Sequence, residues 1–229
     1  MIERIKDVMV HGGASWVLWL LLAVSVVSVS IMLERARVFW PQRDNLASLV
    51  RDLHRLLGDG NRRGAEARLT RSSNAESGVV LAGLAQWGNG KVAAQEAMAA
   101  ATGLARARLE RHLIVLGTVG NNAPFVGLLG TVIGVLGAFD ALGRAGAADV
   151  APERVMGSIA ESLVATAVGL LVAIPSVLVF NYFQSLSAAA VANAETLGHV
   201  LLTHMESAPI PSVDEQDALD AFDASRGGR

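Results

Sequence analysis

The chain has 229 residues, of which 52% are hydrophobic before its 23 glycines are counted and only 17% are charged, against about 25% charged in an ordinary soluble domain. A net charge of −2 leaves no bulk basic surface for nucleic acid, and zero cysteines exclude disulfides, thiol catalysis and cysteine-ligated metal. Six prolines and one tyrosine, set against abundant alanine and leucine, favour helices over sheet. Residues 1–13 form a short segment in which Arg4 and Lys6 are offset by Glu3 and Asp7. Residues 14–33 carry no charge, and about 20 apolar residues is the length a helix needs to cross roughly 30 Å of hydrocarbon. The run is longer than the roughly 7–15 residues of a signal peptide core and ends in Glu34-Arg35 without a small-residue cleavage site, so it is expected to be retained. Trp16, Trp19 and Trp40 bracket it as interfacial anchors.

Residues 34–112 hold 13 of the 19 Lys and Arg residues, with Arg35, Arg37 and Arg43 at one end and Arg106, Arg108 and Arg111 at the other. Positive charge at the ends of spans favours the cytoplasmic side, which makes this segment cytoplasmic and the amino terminus periplasmic. Within it, DNLASLVRDLHRLL and SGVVLAGLAQW carry apolar residues at helical spacing between Gly58-Asp59-Gly60 and Gly88-Asn89-Gly90 breaks, predicting a small helical bundle. From Lys91 the pattern predicts one long helix running straight into the next span. A second span covers 113–141, a periplasmic link 142–154, and a third span 155–181. A cytoplasmic helix follows over 182–206, then a tail over 207–229 with two prolines and five acids that is predicted to be disordered. The fold class is therefore an all-α integral membrane protein with three transmembrane helices and long cytoplasmic helical extensions.

The faces of the second and third spans differ in chemistry. At 100° per residue, Ser158, Glu161, Ser162, Ala165, Thr166, Gly169, Ala173 and Ser176 share one face of the third span, and Leu163, Val164, Leu170, Leu171, Ile174 and Pro175 the other. The second span likewise gathers Pro124, Gly127, Gly130, Thr131 and Gly134 on one side. Small residues suit close helix packing, which assigns Gly127, Gly130, Gly134, Pro124, Gly169 and Pro175 to helix contacts. A carboxylate in hydrocarbon costs about 3 kcal/mol on insertion scales, so Glu161 reads as functional by default, the alternative being that it snorkels to the outer interface. Thr131 and Thr166 lie 17 and 18 residues from Ala148 in the link, at similar depth, with Glu161 about 7 Å nearer the outer side. Each threonine could instead bond its own helix carbonyl. Glu161, Thr131, Thr166, Ser158 and Ser162 are the candidate proton-pathway residues, and a path of some 30 Å needs further relay groups from a partner helix or water.

Enzyme readings find little support. Gly88-Asn89-Gly90-Lys91 lacks the strand and spacing of a phosphate loop, and the five histidines show no metal-ligand spacing on a shared face. No cofactor and no metal are expected, and three spans without an internal repeat argue against a small-molecule transporter.

The stretches LGTVGNNAPFVGLLGTVIGVLGAFDALG (116–143) and IAESLVATAVGLLVAIPSVLVFNYF (159–183) resemble the paired signatures of the MotA/TolQ/ExbB proton-channel family, in its three-span ExbB and TolQ branch. The resemblance implies a stator subunit of an inner-membrane motor driven by proton-motive force, a homo-oligomer (pentamer) in membrane lipid around a dimer of single-span ExbD- or TolR-like partners. A TonB- or TolA-like protein would receive the work. It places function on Glu161, Thr166 and Thr131, and implies a bacterial inner-membrane location with the carboxyl terminus in the cytoplasm. Gliding-type motors share this core. The rival reading of another class is a passive membrane scaffold for envelope proteins.

Overall fold

A computed structural model of the chain describes residues 15–39, 46–145 and 152–207. The expected segment 1–13, the centre of the link and the acidic stretch from 208 onward lie outside the described residues, as does Trp40. Seven α-helices are described: α1 (Ser15–Phe39), α2 (Leu46–Gly58), α3 (Arg62–Thr70), α4 (Ala75–Ala85), α5 (Lys91–Glu110), α6 (Leu113–Ala145) and α7 (Pro152–Ser207). Three of them, α1, α6 and the stretch of α7 from Val155, are long and apolar enough to cross a membrane. The described chain divides into two compact units, one of residues up to 41 with 107–189, the other of 42–106 with 190 onward.

The second unit is a helical bundle whose core follows from leucine spacing. Leu49, Leu53 and Leu57 fall on one stripe of α2 and are buried against Ala65 and Leu69 of α3, Val80 and Leu84 of α4, Met98 of α5, and Leu197 and Leu201 of α7. Its helices stop where the chain supplies turn residues. Gly60 and Gly90 adopt φ of +71° and +91°, which glycine reaches without steric cost. Asn61 caps α3 by accepting the Gly64 amide at 2.9 Å.

The first unit packs α1 against the α6–α7 pair. Val17 and Leu21 of α1, Ile133 of α6, and Val172 and Ala173 of α7 form its buried cluster. Ser28 and Ser30 return their hydroxyls to the carbonyls of Val24 and Val26, satisfying them within an apolar helix.

The long helix expected from Lys91 onward is interrupted. α5 ends at Glu110, His112 takes a left-handed φ of 63°, and α6 starts at Leu113. A side chain distant in sequence caps the break. Arg35, 3% exposed, donates to the terminal carbonyls of Arg108 (3.1 Å) and Leu109 (3.4 Å), groups that a helix end leaves without partners. Glu34 braces the break by pairing with Arg35 at 2.6 Å and His112 at 2.9 Å. The His112 carbonyl then accepts the Val115 amide, opening the next helix.

Candidate functional site

The contact between α6 and α7 positions the candidate residues. A methyl group placed on Gly127 would lie 2.8 Å from the Ala165 carbonyl and 2.9 Å from the Thr166 Cα, and one on Gly130 would lie 2.7 Å from the Ala165 Cβ. One on Gly169 would meet the Ala123 carbonyl at 2.7 Å, and one on Gly134 would collide with Ser162. The backbones therefore touch along this seam, as small residues permit in membrane helices. Pro124 and Pro175 lie within α6 and α7, half-buried and exposed respectively.

That register fixes the relative heights. Gly130 opposes Ala165 and Gly127 opposes Thr166, so Thr131 stands within about one helical turn of Thr166 along the seam. Thr131 is half-buried and donates to its own Leu128 carbonyl at 2.7 Å. Thr166 differs: its hydroxyl is shielded and has no hydrogen-bond partner among the described residues. Ser158 donates to the Gly134 carbonyl at 3.1 Å, and Ser162, fully buried, donates to the Ile159 carbonyl at 2.7 Å. Both serines are turned into the seam.

Glu161 is exposed, and Val164, one turn along α7, is exposed beside it. Its Oε1 accepts a 2.7 Å hydrogen bond from Ser15 Oγ, at the first residue of α1. Sequence reasoning missed Ser15, because a contact across 146 positions leaves no periodic signal. It also missed a cleft of about 330 Å³ towards the other end of α6, where Thr118, Asn121, Asn122 and Gln184 meet Leu113, Ile114 and Phe180. The asparagine pair stood inside a quoted motif, so its polarity was a usable signal. Among the described residues no three acids or histidines are grouped to hold a metal ion.

Such a polar series on long apolar helices has relatives. The profile described as the MotA/TolQ/ExbB proton channel family matches residues 71–196. The chain is 44% identical over 94 residues to the biopolymer transport protein ExbB of Xanthomonas campestris pv. campestris (strain B100), covering 41% of this chain and 36% of that protein. It is 37% identical over 124 residues to the Tol-Pal system protein TolQ of Pseudomonas aeruginosa, covering 53% and 47%. It is 44% identical over 73 residues to the putative biopolymer transport protein ExbB-like 2 of Helicobacter pylori (strain 26695), covering 32% and 47%. The chain thus spans less than half the length of these relatives. The matched segment exceeds half of the chain and contains the whole α6–α7 seam, and the chain, a multi-pass membrane protein with three candidate spans, belongs to the MotA/TolQ/ExbB proton channel family.

Proposed function

We propose that this chain is an ExbB/TolQ-like stator subunit that conducts protons together with an ExbD- or TolR-like single-span partner and energises work at the envelope. The observation that carries the reading is Glu161, an exposed carboxylate on a membrane helix, one turn from exposed Val164 and with a serine hydroxyl as its hydrogen-bond partner. Lipid would leave that charge poorly solvated, so the flank fits a second protein chain or a water-filled path. Proton entry falls to Glu161 with Ser15 on the outer side. Thr166 stands about 7 Å further in and Thr131 at a height between the two, and both hydroxyls can donate to or accept from a partner's carboxyl in either protonation state. Ser158 and Ser162 hold the wall behind this path.

A ring of copies, pentameric by family likeness, would enclose the partner helices and bury the apolar surface that one copy exposes. Placement in the bacterial inner membrane follows the family likeness, and the cytoplasmic side of residues 34–112 and 182–206 follows the charge distribution. The test is Glu161→Gln in the complex with partner, reconstituted in vesicles. Glutamine keeps volume and hydrogen bonding but cannot titrate, so proton flux should fall to background while assembly by native mass spectrometry is unchanged. Flux equal to wild type would assign proton transfer to the partner alone. Normal flux with Glu161→Ala as well would favour the scaffold.

A further inference from the structure

At one end of the bundle formed by 46–106 and 190–207, several chain segments converge. His54 of α2 packs edge-on to His204 of α7 with ring centroids 4.7 Å apart, and Lys91 at the start of α5 pairs with Glu206 at 2.6 Å. A methyl group on Gly83, in the last turns of α4, would lie 3.0 Å from Leu201. Beside this convergence is a groove of about 360 Å³ based on Leu84 and Trp87 and flanked by Arg62, Arg63 and Glu66. The Arg62 guanidinium lies 5.6 Å from the centroid of the Trp87 ring, a cation–π arrangement. Leu84 is 8% exposed and Trp87 packs against the bundle core, so the base of the groove is anchored.

We propose that this groove docks the acidic segment 217–223 of the same chain, with Leu219 and Phe222 seated against Trp87 and Leu84, and Asp217, Asp220 and Asp223 directed towards Arg62 and Arg63. Three observations select this occupant. α7 ends at Ser207, one residue beyond the Glu206 that pairs with Lys91, so the segment is delivered at the groove's own end of the bundle. Residues 208–216 supply up to roughly 30 Å of reach at about 3.3–3.6 Å per residue. At 100° per residue, Ala218, Leu219 and Phe222 fall on one side of a helical turn and the three aspartates on the other, an apolar face edged by the charge that two arginines recognise. Glu66 is the single acid among the groove residues and would orient the aspartates to the arginine side.

The experiment compares the intact chain with one ending at residue 207, both in mild detergent, using a fluorescein-labelled peptide of residues 208–229 and fluorescence anisotropy. The shortened chain should bind the peptide saturably, and the intact chain about tenfold more weakly, because its own segment holds the groove. Reversing two exposed charges with Arg62→Glu/Arg63→Glu, or using a Phe222→Ser peptide, should each weaken binding about tenfold. A peptide with Asp217, Asp220 and Asp223 changed to lysine should regain binding to the reversed chain. The peptide variant leaves the folded chain untouched, so loss of fold cannot mimic the result. No binding to the shortened chain overturns the proposal, as does binding indifferent to both Arg62→Glu/Arg63→Glu and Phe222→Ser. Equal binding by intact and shortened chains also overturns it, by leaving the groove open to a different partner.

Discussion

Thr131 and Thr166 would look equivalent on a helical wheel, yet their hydroxyls stand in opposite situations. Thr131 already donates its proton to the Leu128 carbonyl, whereas Thr166 is shielded without a partner among the described residues. An unmade buried hydrogen bond is expensive, so Thr166→Val should raise the thermal stability of the chain, by about 1 kcal/mol, while lowering proton-driven activity. Thr131→Val should leave stability within about 1 kcal/mol of wild type. Thermal unfolding in detergent and proton flux in vesicles read the two effects separately, and a Thr166→Val complex with wild-type flux would make that hydroxyl a packing group. Ser15 belongs at the same scale. Ser15→Ala removes one hydrogen bond to Glu161 and should slow flux by about three- to tenfold, the equivalent of about 1 kcal/mol, with Ser15→Thr retaining most of it.

Between helices, stability depends on which glycines touch a backbone. Gly127→Ala drives a methyl into the Ala165 carbonyl and should cost about 1–3 kcal/mol by overpacking. Gly137, on the same helix, has nothing within 4 Å of the added methyl, so Gly137→Ala should be neutral or slightly stabilising. Detergent melts of the two variants give the comparison, and a costly Gly137→Ala would reveal a neighbouring copy packed there. Arg35 acts on an element rather than a residue, closing the end of α5 through two carbonyls. Arg35→Met should cost about 2–3 kcal/mol by leaving them unmet, read as a lowered melting temperature. At the end of α7, the Lys91 ammonium hydrogen-bonded to Glu206 holds that carboxyl below the ordinary carboxylate range. A group lowered on folding contributes above its unfolded pKa and loses that contribution as pH falls through the folded value. Lys91→Ala should therefore move the Glu206 titration upward, as seen by NMR.

For the whole molecule, a single copy leaves large apolar side chains open along α6 and α7, including Phe125, Phe139, Leu171 and Tyr182. Lipid can cover part of that surface but serves Glu161 poorly, and the proposed closed ring would meet both demands by giving every copy the same neighbours. Native mass spectrometry in mild detergent should report one closed stoichiometry, five by family likeness, and a predominantly monomeric species would count against the ring.

Much of this was legible from sequence because the signals are local. Uncharged runs of membrane length, leucines at helical spacing in α2, and glycines at the turns each act through neighbouring residues, so the spans, the bundle helices and their breaks could be read in order. That Glu161 is an acid within an apolar run was legible too, since that is visible without coordinates. What tertiary structure decided is what distant segments do to one another. Arg35 caps the end of a helix that local propensity would have continued, its guanidinium brought by α1 to the terminal carbonyls. Ser158 and Ser162 face a glycine seam because α6 and α7 approach to backbone contact there. Ser15 reaches Glu161 for the same reason: hydrogen bonds and close contacts depend on distances of a few ångströms between elements, which periodicity along one chain does not encode.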